Sequence, residues 1–161
     1  MDEPTEGLDP NQKYEVRTLI RRMGERKAII FSTHILEEVE AVCSRAIIID
    51  RGQIVANGTP AELKQRSHYA GAVRVRFAER NAAIAPRLRQ LEGAADVVTI
   101  TDSPLMVRVF PKEKSAASDL ARAIGELAAQ EHWPLEELHI EEGRLDDVFR
   151  NITLPDTKEA Q

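Results

Sequence analysis

The chain has 161 residues, room for one ordinary domain or two small ones, and its 42% hydrophobic and 30% charged residues describe a globular rather than a disordered polypeptide. A net charge of −5 argues against a nucleic-acid surface, and the single cysteine, Cys43, excludes an internal disulfide and suits a reducing compartment. No apolar run approaches the roughly 20 residues that span a bilayer, and the N-terminus lacks the basic start and apolar stretch of a signal peptide.

The chain opens on turn formers and carboxylates, Asp2-Glu3-Pro4-Thr5-Glu6-Gly7-Leu8-Asp9-Pro10. Asp9 can cap a helix, Pro10 suits its first position and Gln12 completes a capping box. Val16, Leu19, Ile20 and Met23 form the buried stripe of that helix and Gly24 ends it. Ala28–Phe31 is a continuous apolar run expected to be a strand buried on both faces. A second helix follows with Ile35, Val39 and Val42 inward, then the apolar strand Ala46–Asp50, a turn at Arg51-Gly52 and a returning strand. Thr59-Pro60-Ala61-Glu62 repeats the capping-box logic for a short helix. This order implies an α/β layer with a largely parallel sheet.

The pattern changes at residues 67–71, expected to be a linker. Beyond it the strands alternate: Val73, Val75 and Phe77 on one face, Arg74 and Arg76 on the other. Leu105, Val107 and Val109 follow the same rule after a hairpin turn at Asp102-Ser103-Pro104. Such strands suit a sheet covered on one face. Helices are expected around Ile84, Leu88 and Leu91, and from Ser115 to about Glu131 with Leu120, Ile124 and Leu127 inward. A strand near Leu135–Ile140 and a last helix with Leu145, Val148, Phe149 and Ile152 complete a β-α-β-β-α-β-α order, the split-βαβ or ferredoxin-like arrangement with one added helix. The expected organisation is therefore residues 1–66, a linker 67–71, a second domain 72–154 and a polar tail 155–161. His68, His132 and His139 share no ligand spacing with one another or with Cys43, so a zinc site is not expected. Trp133 reads as a packing residue. Arg74, Arg76 and Arg108 read as the solvated side of a sheet.

Three strings in the first half, "DEPTEGLDP", "STH" and "GQIVANGTPAEL", stand in an order and spacing that resembles the second half of an ABC-transporter ATP-binding domain, from Asp2 to about Lys64. The resemblance implies the C-terminal half of a P-loop NTPase followed by an α+β extension. It implies that Asp2 is the Walker B aspartate, holding Mg²⁺ through water, and that Glu3 is the catalytic glutamate that orients the attacking water. Glu6 to Asp9 match the D-loop, with Asp9 reaching across a dimer seam. Glu6 departs from the small residue usual at the first position. His34 matches the switch histidine that contacts the γ-phosphate. ATP and Mg²⁺ are the implied cofactors. A transmembrane permease and a second ATP-binding subunit are the implied partners, with no nucleic acid, at the cytoplasmic face of a membrane. "LDDVFRNIT", Leu145 to Thr153, resembles the end of the C-terminal extension of exporter-type subunits.

The sequence contains no G-x-x-x-x-G-K-[ST] phosphate loop and no signature motif. The expectation is a chain that starts inside a domain, a C-terminal fragment that does not bind ATP tightly alone, with residues 72–154 folding independently and residues 1–65 poorly stable. Two other readings compete. One is a non-enzymatic regulatory or partner-binding module built on the second domain. The other is a fragment of a DNA-repair ATPase, disfavoured by the segment after "STH" and by the acidic balance.

Overall fold

A computed structural model describes residues 1–153; the expected tail 155–161 lies outside them. The mixed α/β class is the one read from the sequence. The described residues divide into two units, 1–63 with 145–153, and 64–144.

In the first unit, helix α1 (Pro10–Gly24) starts where its capping box places it. Its expected stripe is only partly covered: Ile20 is buried, while Leu19 and Met23 are exposed. Helix α2 (Leu36–Val42) buries Glu38; Val39 is only partly buried. Strands β1 (Ala46–Asp50) and β2 (Gln53–Gly58) form an antiparallel hairpin. Arg51 and Gly52, at φ of 48° and 77°, form its turn, the two-residue geometry whose twist matches the strands. Helix α3 (Pro60–Lys64) has its reciprocal cap: Glu62 N donates to Thr59 Oγ1 at 3.1 Å and Thr59 N to Glu62 Oε2 at 2.8 Å.

Two expectations for this unit fail. Ala28–Phe31 is not a strand, and the sheet is not largely parallel: the only parallel pairing among the described residues is a single bridge, Asp2↔Ser32. A strand exists only through a partner's hydrogen bonds, and the backbone facing this segment is Met1 to Glu3 alone. Ser32 N donates to Met1 O, and Glu3 N to Ser32 O, both at 3.0 Å. Strand β1 is likewise covered on one face only, with Ile47 and Ile49 exposed.

The second unit contains β3 (Val73–Phe77), α4 (Ile84–Arg89), β4 (Ala94–Asp102), β5 (Leu105–Pro111), α5 (Ala117–Gln130) and β6 (Leu135–Ile140). The βαββαβ order is as expected. The four strands lie in the order β4-β5-β3-β6 with every pairing antiparallel. Val73, Val75, Phe77, Val107, Val109, Ile84, Leu88 and Ile124 form one continuous core, all fully buried. Phe77 meets Trp133 edge to face, centroids 6.0 Å apart at 88°. The opposite face carries ion pairs, among them Arg74 to Glu137 at 3.1 Å and Arg108, which holds both oxygens of Glu141.

Residues 67–71 are not a free linker. Ser67 and Ala70 are buried, and Gly71 N donates to Glu141 O at 2.8 Å, which folds the segment into the second unit. The two ends of this unit close on each other. Gly143 has φ +90°, and a Cβ there would sit 2.3 Å from Lys64 O, so the approach requires glycine.

The last helix, α6 (Leu145–Thr153), does not belong with the second unit, contrary to the expected boundary at 154. Leu145 joins Ala56 and Leu63 in the first unit's core, with Ile152 against it. Phe149, expected inward, is exposed.

Candidate functional site

The site forms where the opening turn meets the segment before α2. The Asp2↔Ser32 bridge aligns the two stretches, and Ser32 Oγ donates to Asp2 Oδ1. One residue on, Glu3 adopts φ +40°, in the left-handed region uncommon for a residue with a side chain. The chain then turns: Glu6 N bonds Glu3 O at 3.1 Å, and Gly7 has φ +74°. The turn directs the Glu3 carboxylate onto His34. Glu3 Oε1 lies 3.1 Å from His34 N and 2.9 Å from His34 Nδ1.

An ionised carboxylate only accepts hydrogen bonds, so this contact fixes the Nδ1–H form of the imidazole. The Glu3 hydrogen bond, and then its charge, raise the His34 pKa above the ordinary 6.5; Glu6 and Glu38 add to the rise and desolvation opposes it. The imidazolium keeps Nδ1–H on Glu3 and offers a second donor at Nε2. His34 is 71% exposed, so that donor faces outward, while Glu3 is 25% exposed. Glu3 Oε2 is buried and has no protein partner. The pair therefore combines an exposed imidazole donor with a carboxylate whose second oxygen is buried and unpaired.

The structure brings together Asp2, Glu3 and His34 among the residues singled out from sequence. Asp9 is placed differently. Its Oδ1 accepts from Asn11 N and Gln12 N, both at 2.9 Å, and its own N–H donates to Gln12 Oε1 at 3.2 Å. Its carboxylate is thus engaged as the α1 cap.

Sequence reasoning missed the buried group beside the pair. Glu38 is 1% exposed and binds Thr5, Thr33 and Arg17. The available signal was an acid on the inward helix face, one turn after His34.

No cluster of three or more His, Cys, Asp or Glu side chains is arranged for a metal ion among the described residues. No described helix is long and apolar enough to cross a membrane.

No protein-family model matches the chain. Comparison with curated proteins identifies it as a homologue of ABC transporter ATP-binding proteins, corresponding to the C-terminal part of such a subunit. Among these relatives, the linearmycin resistance ATP-binding protein LnrL of Bacillus subtilis is 31% identical over 156 residues, covering 95% of this chain and 48% of that protein. The daunorubicin resistance ATP-binding protein DrrA3 of Streptomyces coeruleorubidus is 29% identical over 159 residues, 98% of this chain and 48% of the relative. The ABC transporter A family member 6 of Arabidopsis thaliana is 32% identical over 152 residues, 94% of this chain and 13% of the relative. The chain spans about half the length of the bacterial resistance proteins it matches.

Proposed function

We propose that this chain supplies the hydrolytic edge of an ATP-binding subunit that drives an exporter of drug-like compounds. The observation that carries the reading is the Glu3–His34 contact. Two residues 31 positions apart in sequence meet through one carboxylate oxygen, which holds both the backbone N–H and the ring of His34. Phosphoryl transfer to water needs an oriented nucleophile and stabilisation of charge on the transferred group. The Glu3 carboxylate orients the attacking water and accepts its proton. His34, held by Glu3, donates to a phosphoryl oxygen. Asp2 holds the hydration shell of Mg²⁺. The metal supplies charge neutralisation on the phosphates when bound. Asp9 caps α1 and also faces a second subunit.

The sequence contains no phosphate loop, and this reading requires one from other polypeptide. Alone, the chain does not bind ATP tightly. The linearmycin and daunorubicin resistance proteins among its relatives support a drug-like cargo; export, a permease partner and a working position at the cytoplasmic face of the membrane are what the motif resemblance implies. The second unit is read as a ferredoxin-like, partner-contacting extension.

The test is ATP hydrolysis by this chain joined to the N-terminal half of a relative's ATP-binding subunit, such as that of LnrL. Glu3→Gln and His34→Ala are each expected to lower kcat by about 10²-fold or more, the usual contribution of a positioned acid–base group. Unchanged hydrolysis in both variants would sink the assignment.

A further inference from the structure

Glu38 is buried to 1% exposure in α2, and the hydrolytic reading gives it no task. An acid is buried only where its oxygens are satisfied. Both are. Oε1 accepts from Thr5 Oγ1, and Oε2 from Thr33 Oγ1 at 3.2 Å. Arg17 Nη2, from α1, lies 3.8 Å from Oε1. Thr5 stands two residues after Glu3, in the same turn. Thr33 immediately precedes His34, and its oxygen also accepts Ile35 N at 3.1 Å, which fixes its rotamer. One carboxylate thus bonds the two backbone segments whose side chains meet as the Glu3–His34 pair.

We propose that Glu38 is a positioning residue: it sets the register of the Glu3 turn against the His34 loop, so that Glu3 Oε1 receives both donors of His34. For fold stability alone, an apolar side chain of similar volume serves as well as a buried charge. A carboxylate that bonds one hydroxyl on each segment does what an apolar side chain does not, because it fixes their relative position. Groups held by a packed supporting shell keep the sub-ångström placement chemistry needs. The inference rests on the reading of Glu3 and His34 as the reacting pair. It extends the site from the two loops to α2 and α1.

The test uses the isotope-labelled full chain without nucleotide, at one fixed pH, and reads the His34 amide proton and Nδ1 resonances. Glu3→Gln defines the part of those shifts that depends on Glu3. Glu38→Ala and Thr33→Val are each expected to lose most of that part, and Glu3→Gln added to either is expected to move nothing further. Glu38→Gln, which retains hydrogen-bonding capacity toward both hydroxyls, is expected to restore it. Retention of the full Glu3-dependent shift in Glu38→Ala overturns the proposal. If Glu38→Ala loses the dispersed methyl signals of Leu63 and Leu145, and so the fold of the first unit, Thr33→Val decides by the same two outcomes. No response of His34 to Glu3→Gln also overturns it. Failure of the hydrolytic reading shows instead in the ATPase assay, with these nucleotide-free shifts unchanged.

Discussion

Replacing Phe77 by Ala tests whether the second unit is one cooperative core. Phe77 is fully buried at the end of the inner strand β3 and abuts Trp133 edge to face. Removing a buried aromatic ring costs about 3–5 kcal/mol through lost transfer energy and the cavity left behind. The aromatic pair contributes roughly 0.5–1.5 kcal/mol of its own. At the usual stability per residue, a unit of this size has only about 4–12 kcal/mol in total. The variant should therefore be close to unfolded, or melt at much lower denaturant. Trp133 is the only tryptophan in the chain and lies in this unit, so its fluorescence in a urea titration reports the transition directly. Far-UV circular dichroism gives a probe away from the altered ring. A loss below about 1 kcal/mol, at unchanged slope, would refute a close-packed core here.

Three further outcomes are expected. The His34 ring should titrate above 6.5 and return toward 6.5 in Glu3→Gln, read by proton NMR. Because the folded-state pKa is the raised one, the pair's stabilisation is fully present below pH 6.5 and is lost as pH rises through the folded value; a midpoint indifferent to Glu3 contradicts the contact. Arg108→Ala should cost about 3–5 kcal/mol, since it removes the bidentate partner of a largely buried Glu141, while Arg108→Met with Glu141→Leu should cost far less. Equal urea midpoints for the single and double variants would contradict that account. In hydrogen exchange, the β3 and β5 amides should be protected far more than those of β1 and β2, whose hairpin has Ile47, Ile49 and Ile54 exposed. Equal protection would remove the expectation of a weaker first unit.

Local chemistry made much of this architecture readable. The two capping boxes, the Arg51-Gly52 turn and the Val73-Val75-Phe77 alternation depend on residues a few positions apart, and each stands where the sequence puts it. What failed depended on distant partners. Ala28–Phe31 has strand composition, yet opposite it there is backbone for only one bridge. Leu19 and Met23 have the spacing of a buried stripe without anything to cover them. The helix after the second unit matched an extension by motif, but Leu145 fits a gap beside Leu63 that no local pattern reveals. At the site, Asp2, Glu3 and His34 came from motif resemblance. Glu38 stayed hidden because an acid on a helix reads as solvated until its partners are known.

The return of α6 to the first unit has a consequence for how this polypeptide is assembled. Leu63 and Leu145 share a core but flank the entire second unit along the chain. Bringing the ends of a flexible loop of that length together costs on the order of 4 kcal/mol. A second unit that folds first closes that loop in advance, because its own ends meet at Lys64 and Gly143. In that order of events Leu63 and Leu145 are already held near each other when the first unit closes. The inserted unit acts as a clasp within its host's folding pathway, and substitution of Gly143 would be felt first as a slower completion of residues far from it in sequence.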